Sequence, residues 1–174
     1  MIEGKLVNLR PLIREDLALI DSWNRDAESI GIFNFFGYRT IHKVERDFNE
    51  TGCLTPDFGR FMVVHKNGTA IGDVSYHSEN YGPASTCRAY NIGISLIPGE
   101  RGKGYGVEAQ RLLTDYLFQH SLVERIEAST DIENLGEQRA LQKAGFTREG
   151  VLRHTQFRAG AWHDLVLYSC LRGE

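Results

Sequence analysis

The sequence predicts an α/β domain, helices packed on a single mixed sheet. Three observations carry this. The tight-turn signal Lys66-Asn67-Gly68-Thr69 lies between two strand-like apolar runs. After Gly104, residues Ala109, Leu112, Leu113, Tyr116, Leu117 and His120 recur at helical spacing. Near the C-terminus, Ala159-Gly160 separates two extended runs. Strands and helices interspersed in this way bury their apolar faces on a common sheet.

The elements follow in order. Lys5 to Arg10 alternates around Leu6 and Leu9 and stops at Pro11, as a strand does. Leu17, Ile20 and Trp23 give a helix over Arg14 to Asn24, and a weaker helical pattern covers Ile41 to Asn49. Between them the aromatic stretch Phe33-Asn34-Phe35-Phe36-Gly37-Tyr38 has no period. Phe61 to Val64 reads as a buried strand, and its partner returns over Thr69 to Ser78. After the polar loop Glu79 to Thr86, a third strand runs from Ala89 to Ile97, with Tyr90, Ile92, Ile94 and Leu96 on one face. The long helix, a strand over Arg125 to Thr130 and a short helix from Leu135 to Ala144 follow, the last closed by Gly145. Phe146 to Phe157 and Trp162 to Leu171 complete the sheet.

At 174 residues the chain predicts one domain spanning 1–174, with no internal repeat or linker to mark a boundary. Hydrophobic residues make up 41% and charged residues 25%, as in ordinary soluble proteins, so disorder is excluded. A net charge of −3 gives no general attraction to nucleic acid or to an anionic membrane. No apolar run approaches the ~18 residues of a membrane span, and the start has no signal-peptide pattern. Cys53, Cys87 and Cys170 are odd in number and widely spaced, which fits neither disulfides nor a zinc site. A cytoplasmic protein with free thiols and no metal is expected.

The chemistry concentrates in Ile94-Ser95-Leu96-Ile97-Pro98-Gly99-Glu100-Arg101-Gly102-Lys103-Gly104-Tyr105-Gly106, where a strand feeds a glycine-rich turn into the long helix. The first-turn N–H groups of a helix have no internal partner, and the helix dipole favours an anion there. Arg101 and Lys103 add charge. A tight turn that binds nothing is the plain alternative. The dinucleotide fingerprint GxGxxG and the Walker spacing are both missing.

Arg101, Gly104 and Gly106, followed by Glu108-Ala109, resemble the Arg/Gln-x-x-Gly-x-Gly/Ala acetyl-CoA loop of the GNAT superfamily of N-acetyltransferases. Asn134 with Lys143-Ala144-Gly145-Phe146 resembles another element of that family. Leu9-Arg10-Pro11-Leu12, Trp23 and the closing Trp162-His163-Asp164 with Tyr168-Ser169 resemble its ribosomal-protein N-terminal acetyltransferase branch. The resemblance spans essentially the whole chain. It implies a sheet splayed at a CoA groove between the Ala89–Ile97 and Arg125–Thr130 strands, and direct acetyl transfer from acetyl-CoA to an amine. It also implies CoA contacts from Leu96, Ile97, Arg101, Gly102, Lys103, Gly104, Tyr105, Gly106 and Asn134. As a helix cap, Asn134 needs no ligand to explain it. Such a transfer requires no metal, since a thioester is already activated.

The departures from the family concern the catalytic groups. Leu141 stands where many members have a Tyr that protonates the leaving thiolate, and Glu137 where the ribosomal-protein branch has Ser. Glu137 is expected to face solvent, since a carboxylate repels a forming thiolate. Near Asn91, where that branch commonly carries an acid, this chain has a neutral amide, an acceptor-contact candidate. His77, Asp131 and Glu133 are the remaining candidates for general base, each with a plain surface or packing alternative. His163-Asp164 is explained by turn polarity, Cys170 by the core and Lys143 by a helix end.

Phe33, Phe35, Phe36 and Tyr38 fit an acceptor pocket, a subunit interface such as that of a homodimer, or packing. The expected partners are acetyl-CoA and an amine, on a peptide N-terminus or a small molecule. A non-catalytic acyl-CoA-binding sensor or partner module is the alternative function.

Overall fold

The computed structural model describes residues 1–37 and 40–174, so Tyr38 lies outside the described residues. The strands are β1 (Ile2–Glu3), β2 (Val7–Pro11), β3 (Phe58–His65), β4 (Ala70–Asn80), β5 (Arg88–Leu96), β6 (Arg125–Asp131), β7 (Thr147–Arg158) and β8 (Ala161–Leu171). The helices are α1 (Arg14–Arg25), α2 (Ala27–Ile30), α3 (His42–Thr51), α4 (Tyr105–His120) and α5 (Leu135–Ala144). One sheet holds the strands in the order β1-β2-β3-β4-β5-β6-β8-β7. Its neighbours are antiparallel except β5 and β6, whose parallel pairing needs the α4 crossover between them.

Alternation along β3 explains both packed faces. Phe61 and Val63 join Val7, Val74 and Ile92 beneath Ala109, Leu113 and Leu117 of α4. Met62 and Val64 point the other way, against Leu12, Ile20 and Cys53 below α1 and α3. The apolar stripe read in the sequence after Gly104 is thus the core face of α4.

Two short elements escape the sequence pattern, β1 and α2. Asp26 caps α2, its carboxylate accepting the Ser29 N–H at 3.0 Å and the Ser29 hydroxyl at 2.6 Å. Glu108 ties the N-terminal strand to α4, accepting the N–H groups of Lys5, Leu6 and Val7 at 2.8, 2.6 and 2.7 Å. No helix among the described residues is long and apolar enough to cross a membrane.

The junction of β5 and β6 positions the site. They pair only at Tyr90↔Ile126 and Asn91↔Glu127. Beyond Asn91 the two strands part, β6 staying with β8 along its whole length and β5 with β4. Gly72 keeps β4 close to the end of β5, because a Cβ there would lie 2.1 Å from the Ser95 carbonyl oxygen. The split opens toward the glycine-rich turn.

Candidate active site

A cavity of about 480 Å³ occupies that split. Ile94, Ser95 and Leu96 form one wall, and Gly102, Gly104, Gly106 and Val107 form the end at the turn. Asn134, Glu137, Arg139, Ala140 and Lys143, all at or on α5, form the opposite wall. Phe33 and Asn34 border it from the connection between α2 and α3.

The turn is shaped for close approach. Gly102 (φ +76°) and Gly104 (φ +87°) adopt the left-handed conformation that side chains resist. Gly104 caps α4, and Glu108 donates the helix's first internal N–H bond to it at 3.2 Å. The N–H groups of Gly106 and Val107 therefore need partners outside the helix, at an end that carries partial positive charge. Both residues line the cavity.

The charged residues of the turn behave differently from a simple anion clamp. Arg101 is a brace: its Nε donates to the Leu96 carbonyl at 2.8 Å and its Nη2 to the Ser29 carbonyl at 2.5 Å. It joins the end of β5 to α2. Lys103 pairs with Glu100 at 3.1 Å and does not line the cavity. Tyr105 packs edge-on to His65, ring centroids 4.9 Å apart, and Ile97 donates its N–H to Ile71; neither reaches the lining.

Asn134 does reach it, and caps α5 as well. Its Oδ1 accepts the Glu137 N–H at 3.3 Å and its Nδ2 donates to Thr130 Oγ1 at 3.0 Å. Lys143 lines the cavity with Arg139, one helical turn away, rather than merely ending the helix.

Glu137 does not face solvent as expected. It is half-buried in the cavity wall, and burial pushes its carboxyl up to about 7 despite a hydrogen bond offered by Gln110. Gln110 is itself buried in α4, its amide also donating to the Gly106 carbonyl at 3.2 Å.

His77 and Asn91 face each other across β4 and β5 at the closed end of the split. Asn91 lies five residues before Leu96, about 17 Å along the strand. His77 is exposed and pairs with Glu79 at 3.1 Å, and neither His77 nor Asn91 lines the cavity. Phe35 is half-buried and Phe36 exposed, also away from the lining.

Asp131 is almost fully buried and committed. Its carboxylate pairs with Arg158 Nη2 at 2.5 Å and accepts the Glu133 N–H at 2.8 Å. Burial raises its pKa, but the Arg158 hydrogen bond, that N–H and the Arg158 charge outweigh this and hold it below the usual carboxylate range. The Glu133 side chain is exposed, outside the lining. His163 leaves its sequence neighbour Asp164 and joins this cluster, its Nδ1 3.3 Å from Asp131. Its Nε2 lies 3.2 Å from the Arg158 carbonyl, which can only accept, so Nε2 carries the proton. Arg158 Nη1 also donates to the Phe33 carbonyl at 3.0 Å and sits 5.8 Å from that ring. The cluster thus pins the cavity's outer border to the mouth of β6. Sequence reasoning missed Arg158, whose only local signal is its place beside the Ala159-Gly160 turn. Cys170 is buried, and burial pushes its thiol up, as suits a core residue. Among the described residues no cluster of His, Cys, Asp and Glu could hold a metal ion.

Residues 7–147 match the Acetyltransferase (GNAT) domain family. The chain belongs to the GNAT acetyltransferases. It is 34% identical over 174 residues to the probable N-acetyltransferase YjcK of Bacillus subtilis, covering 94% of this chain and 93% of that protein. Spermidine N-acetyltransferase of Vibrio cholerae, solved with CoA and spermine, superposes with a TM-score of 0.82 at 25% identity, over 97% of each chain. The ribosomal-protein-S5-alanine acetyltransferase of Vibrio fischeri shares the fold at a TM-score of 0.77 and 23% identity, over 99% of this chain and 96% of that one. This GNAT chain is accordingly an N-acetyltransferase, and its acetyl donor and acceptor are to be sought at the split sheet.

Proposed function

We propose that the protein transfers the acetyl group of acetyl-CoA directly to a primary amine, on a protein N-terminus or a small molecule. The observation that carries this is the meeting of the split between β5 and β6 with the left-handed glycine turn in one cavity. The residues present fit a CoA thioester. Side chains at Gly102 and Gly104 would be strained, and the unpaired N–H groups of Gly106 and Val107 suit the pyrophosphate. Arg139 and Lys143 add positive charge along the same cavity, and Ile94 and Leu96 offer an apolar flank.

Acetyl-CoA supplies an activated acyl group, and the protein supplies position. Holding the amine against a fixed thioester is worth ~7–11 kcal/mol of the barrier. The acceptor approaches beside Phe33, whose ring gives an apolar neighbour to the amine. No imidazole lines the cavity among the described residues, and Asp131 is held ionised by Arg158. The ammonium proton therefore leaves through water, and the neutral fraction of the acceptor climbs with pH toward the amine's own pKa, near 10.4 for a lysine-like amine.

Thiol release from acetyl-CoA, followed against a panel of amines and short peptides, tests this. Amine-dependent thiol release with an acetylated product by mass spectrometry is the expected result. Acetyl-CoA binding without turnover on any amine would instead favour a carrier or sensor module.

A further inference from the structure

Glu137 is the acidic side chain in the cavity wall, and it has no ion-pair partner among the described residues. Its surroundings can be enumerated. On its own helix Arg139 and Lys143 line the same cavity. From the turn, Arg101 faces in, but its guanidinium is bound to the Leu96, Glu28 and Ser29 carbonyls. From α4, the neutral Gln110 amide reaches Glu137, and Arg111 is spent on the Lys143 carbonyl at 2.6 Å. Beyond Asn134, Asp131 is paired with Arg158, and His163 sits against both. The N-terminus of α5 favours the ionised carboxylate, but burial opposes it and prevails. Leu141, one turn further along α5, is wholly buried in the core and offers no proton.

We propose that Glu137 is the acid that protonates the departing CoA sulfur. This rests on the acetyl-transfer function proposed above. In its protonated form a carboxyl does not repel a forming thiolate and can donate to it, which an ionised carboxylate cannot. The acceptor nitrogen bonds to the acyl carbon, the thioester C–S bond breaks with its electron pair going to sulfur, and Glu137 gives its carboxyl proton to that sulfur. The proton displaced from the acceptor nitrogen passes to water, and water restores the Glu137 carboxyl. Burial lifts Glu137 to about 7, so the donor is half-ionised near neutrality.

The test compares wild type with Glu137→Gln and Glu137→Asp. Filling the cavity expels water and holds the carboxyl protonated, so calorimetry in two buffers of different ionisation enthalpy at pH 7.5 should show proton uptake when acetyl-CoA binds to wild type. The uptake should vanish in Glu137→Gln, with the dissociation constant within about threefold of wild type. In turnover, kcat should fall ~10²-fold or more in Glu137→Gln, with Glu137→Asp between the two. Wild-type kcat should level off once pH passes the raised value that Glu137 takes in the filled cavity, and Glu137→Gln, though slower, should keep rising with pH. Equal proton uptake and equal kcat in folded Glu137→Gln would overturn the assignment while leaving acetyl transfer intact. Failure of wild type to bind acetyl-CoA would remove the underlying function as well.

Discussion

Replacing Arg158 by Met should convert Asp131 from a stabilising group into a destabilising one, and pH should reveal the change. The side chains of Arg158 and Asp131 are only 4% and 1% exposed. Removing one partner of so buried a pair costs about 3–5 kcal/mol at neutral pH. At ~2–4 °C per kcal/mol for a chain of this size, the melting temperature should fall by roughly 10 °C. The sign follows from the carboxyl. In wild type its pKa is lowered, so its contribution is present above the unfolded value near 3.9 and is lost as pH falls through the folded one. Without the guanidinium, burial is opposed mainly by the Glu133 N–H. The carboxyl then titrates above 3.9, and stability is lost as pH rises through its new value. Urea unfolding should therefore show the deficit of Arg158→Met growing from pH 5 to pH 8. Adding Asp131→Leu should recover most of it, because an apolar pair replaces a stranded charge. A deficit equal at both pH values, or a double variant no more stable than the single one, would refute the reasoning.

Two further outcomes follow from the turn and from the N-terminal strand. Gly104→Val should weaken CoA binding by calorimetry at least tenfold, since φ +87° strains a branched residue and its methyls intrude on the turn, whereas Lys103→Ala removes one exposed charge worth at most ~1 kcal/mol. Glu108→Gln should cost ~1–3 kcal/mol at pH 7 and little at pH 3 in urea titrations. Burial opposes its ionisation but the Val7, Lys5 and Leu6 N–H groups prevail, so its lowered pKa gives stability that is lost as pH falls below about 4.3.

Features encoded in a few consecutive residues were legible in the sequence. Asn67-Gly68 marks its hairpin, the stripe from Ala109 to Leu117 marks the core face of α4, and the glycines from Gly102 to Gly106 lie where the cavity closes. What was illegible depends on where distant residues meet. Arg101 looks like a phosphate ligand in isolation, yet its carbonyl partners lie on α2, more than seventy residues earlier. Asp131 looks like a surface acid until Arg158 arrives from the far end of β7. Glu137 looks solvated because Gln110, the side chain that meets it from α4, is nowhere near it in sequence. His77 pointed the other way: its strand was read correctly, but position along that strand decides whether a residue reaches the split, and no local pattern records it. Four-residue α2 has too short a period to read, though Asp26 ahead of Ser29 was a usable cap signal.

The two-pair seam between β5 and β6 also sets how the molecule comes apart. On one side β1 to β5 are laced by consecutive antiparallel ladders, and on the other β6, β8 and β7 are laced as tightly. Among the described residues, only Tyr90↔Ile126 and Asn91↔Glu127 pair the two halves as a strand ladder, with the core beneath α4 and side-chain bonds such as Tyr81 to Glu127 adding to them. A partial opening along this line sacrifices few hydrogen bonds, so amide exchange at the free end of β5 should outpace that in the ladders on either side. A ligand wedged in the seam touches both halves and raises the work of parting them by RT ln(1 + [L]/Kd). The groove that would receive the donor is therefore also the clasp of the fold: loosest when empty, and fastened by what it holds.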